Sequence, residues 1–190
     1  MGMPDAKTLW TREMVLALPD DGNRYELIDG ELLVSPSPRA PHQRAVLGLV
    51  RRVDPYVRKH RIGVTGFAPS DLDLKNQQLV QPDLFVAPLL EGGREPLEWP
   101  DYGIPILVAE VISPSTARND RGRKRRRYQQ SAVAEYWIVD LDARTFERWR
   151  PRDERPEILE QRIEWRPEQA PEPLVIDLEE YFREVWGEGN

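Results

Sequence analysis

Two acidic residues occupy positions that the sequence predicts to lie in buried strands. Asp83 follows Pro82, and Glu110 interrupts an apolar run over residues 106–112. Taking an ionised carboxylate out of water is unfavourable unless a cation or hydrogen-bond donors compensate its charge. A divalent metal ion would compensate both carboxylates, so the pair indicates a metal site. Asp83 could instead cap the turn after Pro82, whereas a charge within an apolar strand, such as Glu110, usually has a function or a partner.

Composition limits the chemistry that such a site can use. The chain has no cysteine, and its only histidines are His42 and His60, which excludes thiolate sites, cysteine nucleophiles and histidine-rich zinc sites. The remaining ligands are oxygen atoms, which favour magnesium, manganese or calcium.

The length of 190 residues predicts one domain. We expect it to span residues 8–190, with a core at about 24–150 and a flexible N-terminus at residues 1–7. The sequence contains no apolar stretch of signal-peptide length at its N-terminus and none long enough to cross a bilayer, so we expect a cytoplasmic protein without a membrane partner.

Basic residues are concentrated in one segment of a chain whose net charge is −6. Residues 118–127 contain seven basic residues and one acid, and local charge matters more to a binding surface than the sum. Residues 113–116 supply capping side chains for a helix that continues to about Gln130, here called the basic helix. Its arginines are candidates for contacts with a nucleic-acid backbone: Arg121, Arg123, Arg125, Arg126 and Arg127.

One face of the basic helix must contact the rest of the protein, and that face is polar. Asp120, Lys124 and Tyr128 follow one another at intervals of four residues and form one stripe. Almost no apolar residue precedes Tyr128 in this helix, so we expect the stripe to pack inward and to place the Lys124 ammonium beside the carboxylates. Lys124 could alternatively be one more solvated cation.

The remaining patterns predict an α/β protein with a sheet and flanking helices. Residues 25–28 and 31–34 indicate a β-hairpin around Asp29-Gly30. Alternation places Glu26 and Glu31 on the same face, which could simply be the solvent-facing one. A helix with apolar residues from Val46 to Val57 should kink or break at Pro55. Other strands are expected at residues 63–67, 71–74, 79–86, 106–112, 135–140, 145–150 and 158–165, and helices at 11–18 and 178–186.

As an ordered set, several motifs resemble the Uma-two family of endonucleases in the PD-(D/E)XK nuclease superfamily. The motifs are Tyr25-Glu26-Leu27-Ile28-Asp29-Gly30-Glu31, Ser35-Pro36-Ser37-Pro38 with His42, Gln81-Pro82-Asp83, Glu110-Val111-Ile112-Ser113-Pro114-Ser115-Thr116, Asp120 with Lys124 and Tyr128, and Glu135-Tyr136-Trp137-Ile138-Val139-Asp140. The resemblance covers roughly residues 8–150. It implies a restriction-endonuclease-like fold, with a central mixed β-sheet flanked by helices and an N-terminal hairpin.

The resemblance also implies a set of site residues. Asp83 and Glu110 would be magnesium ligands, assisted by the backbone carbonyl of Val111, and manganese could substitute for magnesium. The superfamily usually has a lysine two positions after the glutamate, where this chain has Ile112. The resemblance implies that Lys124, on the next helix, takes the place of that lysine.

Two further residues, Glu31 and His42, lie in matched motifs near the first helix of the nuclease core. Relatives often place another acidic ligand there, so the resemblance makes both residues, together with Glu26, candidates for the catalytic site. His42 could equally be a residue at the start of a helix that bonds its own turn.

Three functional hypotheses remain open at this point. The first is a magnesium-dependent endonuclease that hydrolyses DNA, commonly a homodimer because a duplex has two strands to cut. The second is a catalytically inactive nucleic-acid-binding module on the same fold. The third is a protein-interaction module that uses the basic helix to bind an acidic partner.

Overall fold

The apolar and β-branched runs form strands in the computed structural model, which describes residues 9–74 and 78–188. The predicted flexible N-terminus, residues 1–7, lies outside the described residues. In chain order the strands are β1 Arg24–Ile28, β2 Glu31–Ser35, β3 Gly63–Phe67, β4 Leu72–Asp73, β5 Leu79–Val80, β6 Leu84–Pro88, β7 Leu107–Ile112, β8 Glu135–Asp140, β9 Thr145–Trp149, β10 Glu157–Leu159, β11 Arg162–Trp165 and β12 Leu174–Asp177.

The helices are α1 Arg12–Leu16, α2 Ala40–Lys59, α3 Ala117–Asn119, α4 Arg125–Gln130 and α5 Leu178–Trp186. A π-helical turn, Asp120–Lys124, joins α3 to α4, and the three segments together form the basic helix, residues 117–130. Short 3₁₀ turns occupy Glu91–Gly93 and Trp99–Asp101. No helix of the described ranges is long and apolar enough to cross a membrane.

The centre of the fold is a six-stranded mixed sheet in the order β10-β9-β8-β7-β6-β3. Strands β7 and β8 pair in parallel, and the basic helix connects them. The hairpin β1-β2 belongs to a second sheet in the order β2-β1-β5-β4, and β11 pairs with β12. This arrangement confirms the predicted α/β fold with a central mixed sheet, flanking helices and an N-terminal hairpin.

Both faces of the central sheet are covered, and β7 shows how. Its residues Leu107, Ala109 and Val111 join the core that contains α2 and α5. Its residues Val108 and Ile112 join a second core beneath the hairpin and the basic helix. Because side chains alternate along a strand, Glu110 belongs to this second face.

The hairpin has the predicted register but not the predicted exposure. Asp29 and Gly30 have φ values of 54° and 75°, as a two-residue hairpin turn requires, and Glu26 lies opposite Leu33. The interpretation of Glu26 as a solvent-facing residue is wrong, since only 2% of it is exposed. Its face of the hairpin packs against the central sheet, with Ile28 and Leu33 in the second core.

Two predicted strands are each divided in the structure. The segment 79–86 becomes β5 and β6, because Pro82 lacks the N–H group that a continuous ladder needs and β5 turns into the hairpin sheet. Asp83 therefore lies at the start of β6, between two sheets. The segment 158–165 becomes most of β10 and all of β11, which also belong to different sheets.

The predicted break at Pro55 does not occur, because α2 continues through it to Lys59. Pro55 and Arg51, whose carbonyl would otherwise bond the missing N–H, both lie on the exposed side of the helix, where water can satisfy that carbonyl.

The ring of Phe85 packs closely against Gly66 of β3, and a stability measurement can test this contact. A Cβ atom at Gly66 would lie 2.1 Å from Cζ of Phe85, which is fully buried. We expect Gly66→Ala to lower the free energy of unfolding by about 1–3 kcal/mol, measured by urea denaturation. The matched control is Gly122→Ala in the basic helix, where nothing lies within 4 Å. This change should be neutral or stabilising, and an unchanged Gly66→Ala midpoint would contradict the packing of Phe85.

Candidate active site

An open cleft of 460 Å³ lies where β6 begins and β7 ends. Its floor includes His42, Asp83, Glu110, Asp120 and Lys124. Its rim is formed by residues 35–39 on one side, by residues 113–116 on the other, and by the end of α5. The cleft therefore gathers residues from distant parts of the chain around two of the predicted acids.

Asp83 is buried and fully engaged by donors. Its Oδ1 accepts a hydrogen bond from Arg24 Nη1 at 2.7 Å, and its Oδ2 lies 3.0 Å from His42 Nε2. Oδ2 also accepts the backbone N–H of Val111 at 2.8 Å. The ladder between β6 and β7 ends at the pair Leu84 and Ala109, so no backbone carbonyl of β6 faces the N–H of Val111. The Asp83 carboxylate is the acceptor for this N–H instead.

These donors determine the protonation of Asp83. Burial alone would raise the pKa of this carboxyl, but the hydrogen bond from His42 and the charge of Arg24 lower the pKa to about 2. Asp83 is therefore an anion at any pH at which the protein is expected to function.

Glu110 and Lys124 meet at the floor of the cleft, as the stripe on the basic helix predicts. Lys124 Nζ donates to Glu110 Oε1 at 3.0 Å, and the hydroxyl of Tyr128 donates to the same oxygen at 3.0 Å. Only 6% of Lys124 is exposed, which contradicts its interpretation as a solvated cation. Both donors from the described residues use Oε1, which leaves Oε2 as the oxygen of Glu110 available to the cleft.

Lys124 has two further acidic partners. Its Nζ lies 2.7 Å from Glu26 Oε2 and 3.5 Å from Asp120 Oδ1. The other oxygen of Glu26, Oε1, accepts the backbone N–H of Gln81 at 2.8 Å. Asp120 Oδ1 is buried and has no hydrogen-bond partner among the described residues. Burial lowers the pKa of Lys124, but the charges of Glu110, Glu26 and Asp120 reverse this effect and raise the pKa well above its ordinary value, so the amine is an ammonium.

Buried negative charge exceeds buried positive charge at this site. The acidic cluster consists of Glu26, Asp83, Glu110 and Asp120, each 2% exposed. The two side chains that are always charged beside it are Arg24 and Lys124. Burial raises the pKa of Glu110 to about 8, the charge of Lys124 opposes the shift, and the like charges of Asp83, Asp120 and Glu26 reinforce it. Either a proton or a divalent cation would remove this surplus.

The cluster matches a hard divalent cation in donor chemistry, but its side chains are not arranged as a finished ligand set. All candidate ligands are oxygen atoms, and Asp120 Oδ1 lacks a hydrogen-bond partner within the described ranges. No three acidic or histidine side chains of those ranges converge on a common point that could hold an ion. Both Asp83 oxygens also accept hydrogen bonds within the protein, so a metal ion bound there would have to compete with Arg24 and His42.

The structure brings together most of the residues singled out in the sequence. Asp83, Glu110, Val111, Lys124 and His42 all line the cleft. The imidazole of His42 does not bond its own helical turn, because its Nδ1 has no hydrogen-bond partner among the described residues and its Nε2 contacts Asp83 from the start of α2.

Glu31 lies apart from this group. It does not line the cleft, and it forms an ion pair with Arg123 of the basic helix at the turn end of the hairpin. Its assignment to the catalytic site stays a prediction.

Sequence reasoning missed Arg24 and undervalued Glu26. An arginine at the first position of a strand has no local signal that distinguishes it from a solvated one, and its partner Asp83 is 59 residues away. For Glu26, the one sequence feature that indicated a role in the site was its place in a matched motif.

Most arginines of the basic helix contact the protein itself. Arg121 pairs with Asp140 and Glu147 at 2.8 and 2.6 Å. Arg123 pairs with Glu31 and Arg127 with Asp29, while the guanidinium of Arg125 lies 4.7 Å from the ring centre of Trp149. Arg126 is exposed and has no ion-pair partner among the described residues. The predicted role of these five arginines in binding nucleic acid stays a prediction.

Glu110 should make the stability of the protein depend on pH. Its pKa is about 8 in the folded protein and 4.5 in its ordinary state, so the folded protein binds a proton that the unfolded chain releases between these values. The resulting stabilisation is complete below about pH 4.5 and is lost as the pH rises through about 8. We expect the free energy of unfolding of the wild type to fall relative to that of Glu110→Gln by on the order of 2–4 kcal/mol between about pH 5 and 8.5.

Urea denaturation in the presence of EDTA measures this difference. Glu168→Gln, at an exposed acid, is the matched control and should follow the wild type at every pH. Parallel pH profiles for the wild type and Glu110→Gln would show that the carboxyl of Glu110 has an ordinary pKa.

Comparisons with known proteins agree with this fold. The solved structure of a protein from Anabaena variabilis, described as a putative nuclease belonging to DUF820, superimposes with a TM-score of 0.72 at 21% identity, over 93% of this chain and 99% of that one. No curated protein matches the sequence. The profile of a family described as "Uma2: Putative restriction endonuclease" matches residues 12–186, nearly the whole chain. The protein therefore belongs to the Uma2 family of nuclease-like proteins.

Proposed function

We propose that the protein is a divalent-metal-dependent endonuclease that hydrolyses phosphodiester bonds of DNA. The observation that carries the proposal is the acidic cluster at the floor of an open cleft, with fewer permanent cations than carboxylates around it. A nuclease needs an excess of negative charge at this place to attract a cation beside an anionic substrate. Membership of the Uma2 family supports the same class of reaction.

Asp83 and Glu110 would hold the ion, together with the carbonyl of Val111, and the oxygen ligands fit magnesium, with manganese as a substitute. When bound, such an ion lowers the pKa of a water molecule and neutralises charge on the scissile phosphate. In the reaction a water oxygen attacks phosphorus and gives up a proton to solvent, the bond to the leaving oxygen breaks, and the leaving oxygen takes up a proton from solvent.

Lys124 would orient the attacking water. Its ammonium has three N–H donors, of which two are directed to Glu26 and Glu110 at short distances. The contact with Asp120, at 3.5 Å, is the longest of the three. This third N–H is the one that a water molecule in the cleft can most readily take.

Arg24 and His42 would assist from the other side of Asp83. Both donate to Asp83 and both line the cleft. If a metal ion takes the oxygens of Asp83, these two donors become available to the oxygens of the scissile phosphate. Exposed cations of the basic helix, Arg126 above all, are proposed contacts for more distant phosphates, and a homodimer is proposed because each duplex has two strands to cut.

One observation favours a second candidate, a nucleic-acid-binding module without hydrolytic activity. Both oxygens of Asp83 already accept hydrogen bonds within the protein. If metal ions do not displace these hydrogen bonds, no metal ion binds at Asp83. The cleft would then bind nucleic acid without cleaving it.

The first test is cleavage of DNA. Purified protein with Mg²⁺ or Mn²⁺ should nick or cut supercoiled, branched or single-stranded DNA, and EDTA should abolish the reaction. We expect Asp83→Asn and Glu110→Gln to lower the rate by about 100-fold or more, because each removes a charged ligand at the reacting centre. Asp101→Asn, at an exposed acid outside the cleft, is the control and should cleave like the wild type. Cleavage that survives Asp83→Asn would place the reaction elsewhere.

The second test separates the nuclease from the inactive binding module. Isothermal titration calorimetry with Mn²⁺ should show one site in the wild type and a markedly weaker one in Asp83→Asn, since a ligand charge is lost. Salt-sensitive DNA binding in the absence of any metal signal is the result expected for the inactive module.

A further inference from the structure

Trp186 presents an aromatic surface to the cleft. It is the one phenylalanine, tyrosine or tryptophan among the described residues that line the cleft. It is the last residue of α5, whose apolar stripe of Leu178, Tyr181, Phe182 and Val185 is buried. Trp186 lies at the edge of that stripe and remains 37% exposed. A partly exposed indole beside a polar cleft offers a flat face on which another ring can stack.

The depth of the acids limits what can reach them. Asp83 and Glu110 are each 2% exposed, so a reacting phosphate has to enter the cleft and cannot be attacked at its mouth. A volume of 460 Å³ is of the size that holds one small molecule or nucleotide. An intact duplex is a wide, stiff double helix, whereas a single strand can bend and place one phosphate and a neighbouring base in a cleft of this size. Proteins that bind single strands combine cations for the backbone with aromatic side chains on which bases stack.

The rim is stiff, and it contains a cation that no described acid neutralises. Pro36, Pro38 and Pro114 lie on its two sides, and proline fixes its own φ angle. Arg39 is exposed on the same rim and forms no ion pair with any described residue, in contrast to Arg123 and Arg127 of the basic helix. A guanidinium in this position is suited to a phosphate neighbouring the one that enters the cleft.

From the stacking face, the buried acids and the free cation of the rim, we infer that the cleft takes an unpaired DNA strand, with one base stacked on Trp186 and an adjacent phosphate bound by Arg39. The substrate class is therefore single-stranded, frayed or flapped DNA, and intact duplex is a poor ligand of the cleft. This inference rests on the proposed nuclease function and adds the form of the substrate to it.

Binding measurements without metal test the inference apart from hydrolysis. Fluorescence anisotropy in EDTA compares a short labelled single strand with the blunt duplex of the same sequence. We expect the wild type to prefer the single strand and Trp186→Ala to weaken its binding by about tenfold, because a stacked base is worth about 1–3 kcal/mol. Trp186→Phe keeps a ring and should retain most of the affinity. Trp99→Ala, at a tryptophan that is 43% exposed and outside the cleft, is the matched control and should bind like the wild type.

Intrinsic fluorescence provides a second readout that does not depend on the alanine variant folding. An unlabelled single strand should quench the wild type more than Trp186→Phe, since the quenched indole is absent from that variant. Arg39→Gln should reduce the slope of log affinity against log salt concentration for the single strand by the amount expected for about one phosphate contact.

The possible outcomes separate this inference from the proposed function. The inference is overturned if Trp186→Ala binds the single strand like the wild type, or if the wild type binds duplex as tightly as the single strand. The nuclease proposal stays intact in either case if cleavage depends on Glu110. Single-strand binding that depends on Trp186, without any metal-dependent cleavage, supports the inference and overturns the hydrolytic proposal.

Discussion

The contacts between the Lys124 ammonium and three buried acidic side chains are the interaction on which the rest of the site depends. Glu26 comes from the hairpin sheet, Glu110 from the central sheet and Asp120 from the basic helix itself. One side chain thus connects the hairpin sheet, the central sheet and the basic helix. Removing one partner of a buried ion pair typically destabilises a protein by about 3–5 kcal/mol, because the other charge remains buried without compensation. One of these side chains, Glu110, is also a proposed metal ligand, so stability and the proposed chemistry share this group.

The outer face of the basic helix is also organised by charge. Arg123 and Arg127 reach acids of the hairpin, and Arg121 reaches Asp140 on β8 and Glu147 on β9 of the central sheet. Exposed ion pairs of this kind contribute little to stability individually. Several of them on one helix nevertheless fix its orientation, and they reduce the positive charge that a phosphate backbone would meet there. Arg39 and Arg126 have no acidic partner in the described part of the chain. They are therefore better candidates for contacts with nucleic acid than the paired arginines of the basic helix.

The position of Asp83 follows from a break in a strand. Pro82 ends the pairing of β5, the chain passes from the hairpin sheet to the central sheet, and β6 begins one residue after Asp83. At this crossing the Val111 N–H faces no ladder partner on β6, and the Asp83 carboxylate accepts it. A structural role of Asp83 is thus compatible with its proposed catalytic role, because Oδ2 accepts the backbone N–H of Val111 while the side chain lines the cleft.

Local rules in the sequence were sufficient for the hairpin register, the inward stripe of Asp120, Lys124 and Tyr128 and the α/β class. They also selected two acids, Asp83 and Glu110, that line one cleft. Each of these depends on neighbours within a few residues or on one periodicity. The tertiary structure alone decided the burial of Glu26, the pairing of Arg24 with Asp83 and the presence of Trp186 at the cleft. In these cases the partner lies tens of residues or more away along the chain, so no local pattern distinguishes a buried, engaged side chain from a solvated one, and only the packing of two sheets and α5 around one cleft brings them together.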